Sequence, residues 1–282
     1  MSFIKNRKWF YVFSSVVIIA GIISMFVQGF NLGIDFAGGS LLRYKVDSSI
    51  SAEQVRTTLN DLNLVKEINV QKSGSEFFIR TNELDQKQTT QMTAAMKAKF
   101  KTAELQSAES VGATIGSELA RNAFLAVAIA IVLMLIYITF RFEWSFGLAA
   151  VLALLHDVLI VVGIASIFQW EINSAFIAAI LTIIGYSIND TIVIFDRVRE
   201  NLRMKKKETL DLLLDKSIMQ TMNRSVNTVL TVLMPLVTLL LFGGSSIKGF
   251  VVTLLVGFIF GMYSSICVAS PVYYEIKQRN AK

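Results

Sequence analysis

Three ionisable side chains stand where an apolar chain has least reason to keep them. Asp157 interrupts Leu152-Ala-Leu-Leu-His-Asp-Val-Leu-Ile-Val-Val162, Asp190 follows Asn189 in Gly185-Tyr-Ser-Ile-Asn-Asp-Thr-Ile-Val-Ile-Phe195, and Arg224 lies in Thr221-Met-Asn-Arg-Ser-Val-Asn227. An ionised group in hydrocarbon is costly unless it is paired, hydrated or neutralised, so a chain that keeps one is expected to use it. Asp190 lies 17 residues after Asn173 and Arg224 18 residues before Phe242. At ~1.5 Å per residue both are about 26 Å from the outer ends of their helices, at one depth. Antiparallel neighbours can bring such an acid and base together. The opposite charge favours the ionised carboxyl and dehydration the neutral one, and these opposed influences make it switchable. Asn189, Asn223 and Asn227 can hydrogen-bond either state or hold water there. Asp157, near the middle of its own helix, offers a third-helix acid for a proton path, with His156 pointing about 100° round the helix. The competing reading makes all these groups interhelical hydrogen-bond fixtures that never titrate. Asp196, Arg197, Arg199 and Glu200 fall at the membrane interface, where water solvates them.

The elements that must position these residues are membrane spans. An apolar share of 54% with only 17% charged residues is foreign to a soluble domain of this length. A single cysteine, Cys267, and a single histidine, His156, leave little for disulfide, thiol or metal chemistry. The net charge of +6 sits beside apolar segments, which argues for membrane orientation over nucleic acid. Six segments reach spanning length: Trp9 to Phe30, Asn122 to Phe140, Ser145 to Phe168, Ile172 to Phe195, Ser225 to Phe242 and Ile247 to Tyr274. The first follows Lys5, Arg7 and Lys8 like a signal peptide, but its apolar run is too long and lacks a small-residue exit, so it is expected to stay as an anchor. Basic residues also fill the loop 196–224 (Arg197, Arg199, Arg203, Lys205, Lys206, Lys207, Lys216) and the C-terminus (Lys277, Arg279, Lys282). The alternate loops carry none, which predicts both termini in the cytoplasm and the region between spans 1 and 2 outside. The chain thus divides into residues 1–30, an outer domain 31–121, and a five-helix bundle 122–282.

The outer domain reads as βαββαβ. Leu42, Tyr44 and Val46 alternate as a strand, Ser51-Ala-Glu-Gln54 is a capping box with Ile50 and Val55 as a staple, and strands around 68–71 and 76–81 flank a Ser73-Gly-Ser75 turn. Asp85-Gln-Lys-Gln88 opens a second helix to Phe100, and a weaker strand follows near 103–107. This order predicts a ferredoxin-like α+β domain with no convergent catalytic set and therefore no enzyme. Asn31-Leu-Gly-Ile-Asp-Phe-Ala-Gly-Gly-Ser40 precedes it. Gly33, Gly38 and Gly39 suit a tight chain reversal, since the Lys-Ser/Thr ending of a phosphate loop is missing. Val111-Gly-Ala-Thr-Ile-Gly-Ser-Glu-Leu119 is the matching re-entry. In the basic loop, Leu210, Leu213, Leu214 and Ile218 recur at helical spacing, which fits an amphipathic helix on the inner leaflet and a packed connector equally. Gly257-Phe-Ile-Phe-Gly261 permits close approach of a helix, within the chain or from a partner.

Three motifs together carry a resemblance: 31–39 with Gly33, Asp35, Gly38 and Gly39; 111–116; and 185–201 with Gly185, Asn189, Asp190, Arg197 and Arg199. The chain resembles the SecF family of bacterial Sec export subunits over nearly its whole length. That resemblance implies a partner, SecD, with six further helices, association with the SecYEG channel, a translocating preprotein as cargo, and residence in the bacterial inner membrane. It also implies kinship with proton-driven transporters of the resistance-nodulation-division type, with protons as coupling ion and no other cofactor. The family's proton-transport Asp and Arg fall on Asp190 and Arg224. Ala113 departs from the proline common there in the family. A small-molecule or lipid exporter of that superfamily and a passive translocon scaffold are the alternatives. An exporter should carry a wide pocket in its outer domain, whereas this domain reads as small and complete in sheet and helix.

Overall fold

The computed structural model describes residues 2–65, 68–204 and 208–280, so Lys205, Lys206, Lys207 and Lys282 of the basic segments lie outside the described residues. The chain separates into two compact units, Met1–Asn31 with Leu125–Lys282, and Leu32–Phe124.

The first helix, α1, runs Arg7–Val27, and the chain then enters the second unit through the single helical turn α2 (Ile34–Ala37). Strand β1 (Gly39–Lys45), helix α3 (Ala52–Asn60), strands β2 (Ile68–Ser73) and β3 (Glu76–Thr81), helix α4 (Gln86–Lys99) and strand β4 (Glu104–Val111) follow. All pairings are antiparallel and the sheet order is β2-β3-β1-β4, with a bulge between Arg43 and Tyr44 where β1 meets β4. Both helices start at capping boxes, Ser51 with Gln54 and Asp85 with Gln88, each satisfying two otherwise orphaned N–H groups. Alternation then sorts the strands. Leu42, Tyr44 and Val46 from β1 and its exit, with Phe77 and Ile79 of β3, turn inward onto Val55 and Leu59 of α3 and Met92 and Met96 of α4. The domain is less closed than its pattern suggests. An open groove of about 610 Å³ separates α4 from the edge strand β4, lined among others by Thr89, Thr93, Lys97 and Glu109.

The two glycine-rich motifs meet inside this unit. Gly38 (φ 74°) and Gly39 (φ 113°) take left-handed backbone that favours glycine. A Cβ on Gly38 would lie 2.9 Å from Ala113 Cα, one on Gly116 3.1 Å from the Phe36 carbonyl oxygen, and one on Gly39 would collide with the Thr81 carbonyl. The glycines therefore serve close backbone approach as well as reversal. The re-entry segment is already helical, because α5 spans Ala113–Arg141 and begins well before the apolar run.

Helices α6 (Trp144–Ile167), α7 (Ser174–Arg203), α8 (Leu210–Phe242) and α9 (Ser245–Ser264) complete the bundle, and α9 continues through a π-turn (Ser265–Ala269) into α10 (Ser270–Asn280). Six helical stretches among the described residues are long and apolar enough to cross a membrane. The π-turn sits just before Pro271, whose missing N–H and ring oblige the preceding turn to widen; Ser270 Oγ donates there to the Ser265 carbonyl at 3.2 Å. The segment around Leu210 forms no separate surface helix. It is the first turns of α8, with Leu213, Leu214 and Ile218 buried inside the protein, so the packed reading holds and the inner-leaflet one does not. Gly257 and Gly261 pack inside the chain, against Ile183 and Ser187 of α7.

Candidate functional site

The Asn173 side chain caps α7 by accepting from Phe176 N–H at 3.0 Å, and from there the helix carries Asp190 into the bundle at 7% exposure. Asp190 Oδ1 accepts a 2.5 Å hydrogen bond from Ser225 Oγ of α8, while its Oδ2 is buried with no hydrogen-bond partner. The expected height match between α7 and α8 is present, but the residue that uses it is the neighbour of Arg224. Arg224 itself is exposed and makes no ion pair with Asp190; it lines a cavity of about 230 Å³ with Val193, Asp196, Arg197, Glu200, Gln220 and Thr221. Asn189, Asn223 and Asn227 are exposed as well, and none of them reaches the Asp190 carboxylate through a hydrogen bond shown here. Gly185 lies one helical turn before Asn189 on the same open face.

Asp157 is fully enclosed, with no exposed surface. Its Oδ2 accepts from Ser187 Oγ of α7 at 2.6 Å and Ser264 Oγ of α9 at 2.8 Å, and its Oδ1 lies 3.0 Å from His156 Nδ1. His156 Nε2 in turn meets Ser14 Oγ of α1 at 2.8 Å. One carboxylate thus ties four spans, α1, α6, α7 and α9. A second hydroxyl pair, Thr191 Oγ1 with Ser265 Oγ at 2.8 Å, lies beside it on α7 and the π-turn.

At the end of the bundle that carries the loop after α7, the charges pair among themselves. Arg197 meets Glu200 at 2.8 Å, Arg141 meets Asp196 at 3.7 Å, and Arg199 donates to the Arg141 carbonyl at 3.1 Å. Asn201 donates to Ser217 Oγ and Gln220 Oε1, joining the end of α7 to the start of α8. The sequence reading missed the serines in these networks, Ser14, Ser187, Ser217, Ser225, Ser264 and Ser265. The signal was there: hydroxyls buried in otherwise apolar spans, Ser187 one turn before Asp190. Among the described residues no three His, Cys, Asp or Glu side chains assemble as metal ligands.

Comparison with known proteins gives this geometry its context. Residues 91–279 match the family model for the C-terminal part of the protein export membrane proteins SecD/SecF, and residues 23–50 match the SecD/SecF GG motif. The chain belongs to the SecD/SecF family. It is 45% identical to the protein translocase subunit SecF of Sebaldella termitidis, covering 99% of this chain and 92% of that one. It is 43% identical to the subunit SecDF of Bacillus subtilis, again over 99% of this chain but only 38% of the relative. The crystal structure of SecDF from Thermus thermophilus superposes with a TM-score of 0.93 at 35% identity, covering 99% of this chain and 39% of that one. A member of the SecD/SecF family with this coverage is an accessory subunit of the Sec protein translocase, and a protein that crosses its membrane several times.

Proposed function

We propose that the subunit uses the proton gradient to drive a late stage of preprotein export through the SecYEG channel, together with SecD, and that Asp190 is its proton switch. The observation that carries this is the Asp190 carboxyl itself: one oxygen on a serine hydroxyl, the other buried and unpartnered. A buried carboxyl so placed is costly when ionised and ready to take a proton. Binding of that proton relaxes the hold of Ser225, and α7 and α8 shift against each other. A proton crossing ~100 mV supplies about 2.3 kcal/mol, enough to bias two states that differ by a few kcal/mol. Asp157 serves the same pathway from the third span, and protons are the only coupling ion needed.

Partnership with SecD is supported by an open polar stripe on α7, Ala178, Thr182, Gly185 and Asn189 at helical spacing, with Asn223, Arg224 and Asn227 exposed on α8. Small and polar residues at membrane depth favour a protein neighbour over lipid. In the fused relatives named SecDF this chain corresponds to 38% and 39% of the length, which leaves ample chain for a second half. The strand order and the two helices of the outer unit fit a ferredoxin-like fold. Arg7 pairs with Glu275 at 3.0 Å, so the two ends of the chain lie at one end of the bundle, and Arg141, Arg197 and Arg199 cluster at loop ends there. The positive-inside rule supports a cytoplasmic reading of that end, and the Sec reading supports a bacterial inner membrane. The test is proton-gradient-dependent preprotein export from membranes carrying Asp190→Asn, with SecD association followed in parallel. Loss of the gradient-dependent part with association intact is expected; unchanged export would reduce Asp190 to a packing residue and the subunit to a scaffold.

A further inference from the structure

One arrangement of the hydrogens satisfies the contacts of Tyr263, Ser14 and His156 together. Tyr263 Oη has one hydrogen, and the Phe10 carbonyl 3.0 Å away can only accept; in this arrangement the hydrogen goes there. Toward Ser14 Oγ, 3.2 Å off, Tyr263 is therefore the acceptor, and the single Ser14 hydrogen is spent on it. Ser14 Oγ can then only accept from His156 Nε2, 2.8 Å away, so Nε2 carries a hydrogen. On the other side of the ring, Asp157 Oδ2 is occupied by the Ser187 and Ser264 hydroxyls, which leaves Oδ1 facing Nδ1 at 3.0 Å. Two bare acceptors at that separation repel, so one proton lies between them. It makes either an imidazolium beside a carboxylate or a neutral imidazole beside a neutral acid. Both forms hold the same number of protons and have no net charge, which suits a pair at 7% and 0% exposure.

We propose that His156 and Asp157 form a second proton-binding site, which holds one proton in this conformation and releases it to water only when α1 parts from the bundle. Release leaves a carboxylate facing a nitrogen lone pair, so the contact opens and the Ser14 link to α1 goes with it. Rebinding a proton closes both. The ionisable groups about the pair are Tyr263 on α9 and, beyond it, Cys267 in the π-turn; α7 and α1 present the hydroxyls of Ser187 and Ser14. Since α1 leads in the chain directly into the outer unit, the proton on this pair governs one of the two spans, α1 and α5, that connect to that unit. The cycling of the proton rests on the proton-coupled reading above; the proton count does not.

His156 is the only histidine in the sequence, which makes the test spectroscopically clean. The full chain, labelled with nitrogen-15 histidine and held in lipid nanodiscs, should give one imidazole with a protonated Nε2 and a strongly deshielded bridging proton at Nδ1. Asp157→Asn mimics the loaded state, its amide donating to Nδ1 while its oxygen accepts from Ser187 and Ser264. It should keep the Nε2 hydrogen and the bundle but lose the gradient-dependent part of export. A bare Nε2 in the native chain overturns the proposal even if the variant does not fold, and native export by a folded Asp157→Asn overturns it as well. An Asp190→Asn protein with unchanged export would count against the Asp190 switch alone and leave the imidazole signals as they are.

Discussion

A hydroxyl, and not a guanidinium, rests on the Asp190 carboxyl. An arginine in contact would favour the ionised form alone, whereas serine can donate to a carboxylate and either donate to or accept from a neutral acid. The contact thus leaves the proton free to come and go. Ser225→Ala should strip the last hydrogen-bond donor from a buried acceptor and cost about 1–3 kcal/mol of stability. The same change in an Asp190→Asn background should cost less, and thermal unfolding of the two single variants and the double variant in detergent measures that coupling. The depth count along α7 and α8 was legible in the sequence; the choice between Arg224 and Ser225 was not. Adjacent helical residues differ by little in height and about 100° in direction, and direction is set by packing. In the outer unit Asp47 shows the opposite situation to a buried acid. The Ser49 N–H and hydroxyl hold its carboxyl below the ordinary 3.8. Its contribution to stability is therefore present above that value and is lost as pH falls through the lowered one. Carboxyl NMR should place the Asp47 titration midpoint below 3.8 and return it towards that value in Ser49→Ala.

At the scale of elements, the membrane helices announced themselves through unbroken apolar runs, and α3 and α4 through their capping boxes. Less visible was where the runs stop being membrane. Nothing in the residues 208–224 marks a break, because Leu213, Leu214 and Ile218 have the period of any amphipathic helix, and only tertiary packing fuses them with the span into one 33-residue α8. The two glycine positions on helices likewise look alike in sequence and differ in the fold. A Cβ at Gly257 overlaps the Ile183 side chain, while one at Gly185 meets nothing within 4 Å. Gly257→Leu should force α9 off α7 and destabilise the chain by about 1–3 kcal/mol or more, read as a lowered melting temperature. Gly185→Leu should leave the melting of the chain alone unchanged and weaken its copurification with SecD, the partner proposed to cover that open face. Equal melting losses for both would deny the partner face.

At the scale of the whole bundle, one end is stitched by contacts between residues far apart in the chain. Arg7 meets Glu275, Lys277 meets Glu143 at 2.7 Å, and Asp215 at the start of α8 accepts from Ser2 Oγ at 2.7 Å, Phe3 N–H at 2.8 Å and Ile4 N–H at 2.9 Å. The exposed pairs contribute little each. The Asp215 clasp is different in kind, because Phe3 and Ile4 are buried and their N–H groups precede α1, where no intrahelical acceptor exists. It also joins the two spans that matter most to the proposed cycle: α8, which bears Ser225 and Arg224, and α1, which bears Ser14 and leads to the outer unit. A movement of α8 that follows protonation of Asp190 is therefore handed to the beginning of α1. Asp215→Ala should leave two buried donors without an acceptor, at about 1–3 kcal/mol each, so the residues before α1 detach and the bundle keeps its fold. Amide hydrogen exchange should then speed up at Phe3 and Ile4 while α7 and α9 stay protected, and gradient-dependent export should fall although Asp190 is intact. Native export with those amides freely exchanging would mean that α1 is moved from elsewhere, by the His156–Ser14 link deeper in the bundle.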